Sequence, residues 1–165
     1  MFTLKPLSSS AIPAALSKAE RYRLLNEPEQ SQSICEDVLR ADPNNTEAIV
    51  TLILALSDAF PRHQPGTAAR AEELVARLPG EYERCYYGGL VAERRARALI
   101  DQPGPGARAA GAWLQEAMAA YERAEALRPP DNDEATLRWN ACARVLNARP
   151  ELIPHDERPS AVTSE

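Results

Sequence analysis

The stretch from Ala11 to Asn45 constrains this chain more than any other, because it reads as two helices closed by a tight turn, and the residues after it read as imperfect copies of that pair. Ser10 is placed to cap a first helix in which Ala15, Leu16, Ala19, Tyr22 and Leu25 recur at three- and four-residue steps, the helical period. Asn26 suits its end, and Pro28 falls in the first turn of a second helix, where its missing N–H costs nothing. Ile34, Cys35, Val38 and Leu39 form the apolar stripe of that helix. Asp42-Pro43 stops it, since proline disfavours helical geometry in the residue before it. Asn44 followed by Glu47 reads as a capping box that starts a third helix at once. Helices joined so tightly run antiparallel, and each pair shows an apolar face that a neighbouring pair must cover.

The third helix, Thr46 to Phe60, is apolar almost all round and is expected at the centre of the stack. After the loop Pro61 to Gly66, Thr67 is expected to cap a helix that carries Ala71, Leu74, Val75 and Leu78. Glu81 to Ile100 holds Tyr82, Cys85, Tyr86 and Tyr87 beside Gly88-Gly89, a pair expected to let a neighbouring helix approach closely. Asp101 to Gly106 breaks the pattern. A helix from about Ala109 to Arg128 follows, and Asp131 with Glu134 opens the last one, with Arg138, Arg144 and Asn147 on its wetter side. Residues 1–10 read as a loose arm and 149–165 as a disordered tail, which leaves 11–148 as the helical domain.

These residues resemble the tetratricopeptide repeat family, whose repeat is about 34 residues of helix, turn and helix. The resemblance lies in Ala19, Tyr22, Ser31, Cys35, Val38 and the closing Asp42-Pro43-Asn44-Asn45, and again in Ala117, Tyr121, Ala124 and Pro129. Pro43 and Pro129 are 86 residues apart, against about 68 for two uninterrupted repeats, so about eighteen residues are inserted between them. The resemblance implies an all-α fold of about seven helices, stacked as antiparallel pairs in a right-handed superhelix.

Composition agrees with helices. Alanine is abundant and aromatic residues make up only 5% of the chain, which suits close-packed helices better than sheets. The net charge of −5 favours solubility and argues against a nucleic-acid-binding protein, which would show a basic stripe with stacking aromatics. No apolar run approaches the roughly 20 residues that span a bilayer, and residues 1–10 lack the apolar core of a secretory signal, so a cytoplasmic, soluble protein without membrane contact is expected.

Side chains that carry chemistry do not converge in the sequence. Cys35, Cys85 and Cys142 are far apart, each on an apolar stripe, and read as buried free thiols. His63 and His155 fall in loops without a second ligand at metal spacing, so neither a metal nor a cofactor is expected. Gly104, Gly106 and Gly111 imitate a dinucleotide loop, but Pro103 and Pro105 and the missing strand spoil its context. The carboxylates fall at helix starts and on solvated faces. No enzyme activity is therefore expected.

Binding along a groove is the function that survives. The first helix of each pair lines the concave side of such a stack. The matched register puts Ser17, Glu20 and Leu24 there from the first pair, and Thr51, Leu54 and Asp58 from the second. Tyr86 and Glu93 follow from the third, then Arg138 and Arg144 from the last helix. The groove is expected to run from acidic and apolar to basic, and to hold a peptide or helix of a partner protein. The chaperone-binding members of the family grip a terminal carboxylate with lysine and asparagine at places that here hold Leu16 and Glu20, so that grip is not implied. A chaperone for secreted substrates and a regulatory subunit of an enzyme are the alternatives to an adaptor. A homodimer through the Ile12 and Leu16 region is a further expectation.

Overall fold

The computed structural model describes residues 1–62, 65–102 and 105–153. These form seven α-helices and no strand. The helices are α1 (Ile12–Leu24), α2 (Pro28–Ala41), α3 (Thr46–Asp58), α4 (Thr67–Ala76), α5 (Glu81–Leu99), α6 (Pro105–Leu127) and α7 (Glu134–Ala148). Each packs against its predecessor through a short connection, so neighbours run antiparallel. In addition α1 touches α3, and α3 touches α5, which aligns the first helices of successive pairs.

Local chemistry fixes the ends, often one residue from where the spacing alone puts them. A 3-10 turn at Ser9–Ala11 precedes α1, so Ser10 lies inside that turn and caps nothing. Asn26 closes α1 with φ of 60°, a left-handed conformation asparagine tolerates. Asn45, not Asn44, caps α3 by accepting from the Ala48 N–H at 2.9 Å. Gly66, at φ of 80°, occupies the cap position of α4 and Thr67 is its first helical residue. At α7 the side chain of Asn132 accepts from the Glu134 N–H, the place expected of Asp131. Pro105 opens α6 earlier than expected, again in a first turn.

Two apolar cores result. Leu16, Val38, Leu52, Ile53 and Leu74 centre the first, and α3 supplies more of it than any other helix, as an all-round apolar helix should. Leu90, Leu114, Tyr121, Cys142 and Leu146 centre the second. Tyr87 packs against both, and Val91 of α5 reaches into the first.

Parts of both terminal segments, within residues 1–10 and 149–153, pack on the helices. Leu7 is half-buried against the first core, and Arg40 Nη2 donates to the Lys5 carbonyl at 3.0 Å. Leu16 is buried within the chain, and Leu7 and Ile12 pack against the same core. After α7 a 3-10 turn at Pro150–Leu152 folds back on α6, and Leu152 is fully buried. Gly111 makes the landing place: a Cβ there would lie 1.9 Å from the Leu152 carbonyl oxygen. The glycine serves close backbone approach, not a phosphate loop. Gly104, His63 and His155 lie outside the described residues.

Candidate functional site

The aligned first helices carry a polar ladder across α1, α3, α5 and α7. Arg23, near the end of α1, donates from Nε to Asp58 Oδ2 at 2.7 Å and from Nη1 to both Glu20 oxygens at 3.0 and 3.1 Å. Asp58, the last residue of α3, also accepts from Arg94 Nη1 of α5. The same nitrogen reaches Ser57 Oγ at 2.9 Å and the Leu54 carbonyl at 3.2 Å. One carboxylate thus ties three helices.

The adjacent residue on α5, Glu93, ties α5 to α6 and α7. Glu93 is 1% exposed, and a buried carboxylate is tolerated only when paired and hydrogen-bonded. Tyr121 Oη of α6 donates to its Oε2 at 2.7 Å, and Arg97 Nη2 donates to its Oε1 at 2.7 Å. Arg138 Nη1 of α7 lies 3.4 Å from the same Oε1. Burial, then the Glu93 charge, hold the Tyr121 phenol well above its ordinary range, so it stays a donor. Burial pulls the Arg94 guanidinium down, only partly offset by Asp58, while Arg23 and Arg138 add repulsion. At Arg23 and Arg138 burial acts in the same direction, but Asp58 and Glu20 outweigh it at Arg23, and Glu93 with the Tyr86 and Tyr121 hydroxyls outweighs it at Arg138, so the net shift is upward.

The ten expected groove residues fare differently. Glu20, Asp58, Glu93 and Arg138 are brought together by this ladder, and Leu54 contributes its carbonyl. Tyr86 lies buried between the Tyr82 and Tyr121 rings, at 5.9 Å from each centroid, and Thr51 is buried in α3. With Glu93, these two are covered by neighbouring helices, so their side chains do not form an open surface. Ser17 and Leu24 are exposed on α1, one turn either side of Glu20. Arg144 is exposed too, but six residues place it about 120° round α7 from Arg138. The expected gradient is absent, because Arg23 and Arg94 neutralise the acids of the N-terminal end. The register assigns none of Arg23, Arg94, Arg97 and Tyr121 to the groove, although Tyr121 enters the sequence reading as the aromatic of the second repeat match. Their signal is the isolated polar pair Ser57-Asp58 closing an apolar helix, which requires donors from somewhere in the fold.

On the other side of α5 a cleft of about 430 Å³ separates α4 from α6. Cys85, Gly88 and Val91 floor it, and Val75 and Trp113 face each other across it. Arg95 closes one end by pairing with Glu72 and lying 4.0 Å over the Trp113 ring. Cys85 is half-buried there, whereas burial pushes the thiols of Cys35 and Cys142 up to about 12, which keeps them protonated and unreactive. Among the described residues no group of His, Cys, Asp and Glu is placed to hold a metal, and no helix is long and apolar enough to cross a membrane.

Comparison with known proteins adds no relative: no family model matches the chain, and no curated protein and no solved structure matches it either.

Proposed function

We propose that the chain is a non-catalytic adaptor that holds an extended segment or a helix of a partner protein against the face formed by α1, α3, α5 and α7, the concave side of a tetratricopeptide-like superhelix. The observation that carries this reading is the ladder itself. It links side chains of α1, α3, α5 and α7, and Ser17, Leu24 and Arg97 on those helices are exposed to solvent. Leu24 is 76% exposed, and an exposed leucine beside a polar strip is the composition of a protein-contacting edge. The resemblance of the repeats to a family of groove binders points the same way. Work in the cytoplasm is part of this proposal.

A photo-crosslinking amino acid at Ser17 or at Arg97, compared with Glu36 on α2 and Ala119 on α6, tests it in lysate of the source cells. The expected result is one protein captured from both face positions and from neither second-helix position. Capture that is equal at all four positions, or that occurs only at Glu36 and Ala119, rejects the face.

A further inference from the structure

We infer that the cleft between α4 and α6 is gated: the block of α1–α4 turns against the block of α5–α7, and Arg95 is the latch that holds the cleft shut. This device stands apart from the adaptor reading. Among the described residues α4 and α5 pack less than any other consecutive pair of helices, and the cleft of about 430 Å³ lies beside that weak contact. The two cores meet at the same place, with Ala71 and Leu74 of α4 in the first and Tyr86, Leu90 and Ala96 of α5 in the second. The floor between them is loosely covered. A Cβ on Gly88 would meet only Val75, at 3.8 Å.

The ties across this joint are unequal. On the side of α3, Arg94 Nη1 meets Asp58, Ser57 Oγ at 2.9 Å and the Leu54 carbonyl at 3.2 Å, while Tyr87 packs against both cores. At the turn from α4 to α5, Arg84 Nη1 donates to the Leu78 and Pro79 carbonyls at 2.7 and 2.8 Å. These two fastenings define a pivot. The end of the cleft away from the turn is spanned by one side chain, because Arg95 of α5 pairs with Glu72 of α4 and lies 4.0 Å over the Trp113 ring of α6. It is the one ion pair that joins α4 to α5 among the described residues. The Glu72 side chain is 52% exposed, and a pair so open to water is weak and screened by salt. A cation over a partly exposed ring adds a contribution of similar size. The latch therefore yields before the part-buried bonds of the pivot do.

The three native thiols supply the test. Cys85 is half-buried on the cleft floor, whereas Cys35 and Cys142 are fully buried, one in each core. The purified full chain is treated under native conditions with N-ethylmaleimide, which is small enough to enter the cleft, and with a maleimide carrying a long polyethylene glycol, which is not. Peptide mass spectrometry gives the rate at each cysteine. The ratio of the bulky to the small reagent's rate at Cys85 cancels the reactivity of the thiol itself and reads how often the cleft is open. Arg95→Gln, which removes both the ion pair and the ring contact, is expected to raise that ratio about tenfold. Glu72→Gln spares the ring contact and is expected to raise it about threefold. Glu73→Gln, next to Glu72 but paired with Arg70 of its own helix, is expected to leave it unchanged. The wild-type ratio is expected to rise between about 50 mM and about 500 mM salt, and that of Arg95→Gln to stay level. Cys35 and Cys142 are expected to stay unlabelled meanwhile, which separates opening from unfolding. If Arg95→Gln does not fold, the wild-type salt response carries the test. An equal ratio in the wild type and in folded Arg95→Gln, a wild-type ratio indifferent to salt, or labelling of Cys35 or Cys142 in step with Cys85 overturns the inference. Capture of a partner through Ser17 and Arg97 is read separately, so either idea can fail without the other.

Discussion

Gly88 and Gly89 are consecutive on α5, yet they meet opposite surroundings. A Cβ at Gly89 would come within 2.8 Å of the Tyr121 ring and 3.2 Å of the Ala117 carbonyl oxygen. Tyr121 cannot retreat, because its hydroxyl is held on Glu93 and the ring is fully buried. A Cβ at Gly88 would meet only Val75, at 3.8 Å, because that glycine floors the cleft between α4 and α6. Gly89→Ala is therefore expected to overpack the core and cost about 1–3 kcal/mol. Gly88→Ala gains helix propensity without a clash and is expected to stabilise by about 0.5–1 kcal/mol. Urea denaturation of the two variants checks this pair, and equal effects of one sign would reject the distinction. Adjacent identical residues look alike in a sequence. The single-residue step of about 100° round the helix decides which one meets a neighbour.

Among the elements, the segment after α7 shows most clearly what one buried side chain does. Leu152 sits under α6 where Gly111 leaves room for the chain to cross, and it packs into the second core. Leu152→Ala is expected to cost about 2–4 kcal/mol through the cavity it leaves. Gly111→Ala displaces the same turn without removing any apolar surface. Both are expected to raise amide exchange at residues 145–153, where Arg149 N–H bonds the Val145 carbonyl, and to leave α2 and α3 protected. Unchanged exchange in Gly111→Ala would show that the turn is held by something else. The seven helices were legible because apolar residues recur at the helical period over ten or more positions. Leu152 has no such period around it, in a proline-rich charged stretch, so its burial was not legible. The site divides in the same way. The register matched to the resembled repeats put Glu20, Asp58, Glu93 and Arg138 toward one face, but could not say that Glu93 and Tyr86 sink beneath neighbours while Arg94 joins Asp58. Depth depends on which helix covers a position, and that contact is not local in the chain.

At the scale of the molecule, the stack divides unequally at α5. That helix packs far more extensively on α6 than on α4; its Tyr86, Leu90 and Ala96 belong to the second core, whereas Val91 is its one buried residue in the first, with Tyr87 and Ala98 packed beside it. The joint is otherwise spanned by Leu54 and Tyr87 side chains and by two ion-pair ties, Asp58 with Arg94 and Glu72 with Arg95. In a linear stack stability is a sum of units and their interfaces, so a weak interface separates cooperative blocks. Leu52→Ala and Leu114→Ala, both at fully buried leucines, are each expected to cost about 2–5 kcal/mol. Hydrogen exchange should show the loss of protection confined to α1–α4 in the first case and to α5–α7 in the second. Asp58→Asn removes the counter-ion that Arg23 and Arg94 share, and leaves a partly buried guanidinium without its carboxylate. Its cost lies between that of an exposed pair and a buried one, about 2 kcal/mol. Because that cost falls on the joint, Asp58→Asn is expected to broaden or split the urea transition of the whole chain rather than simply shift its midpoint. A transition that moves without changing shape, with exchange raised evenly through all seven helices, would mean that the two cores unfold as one.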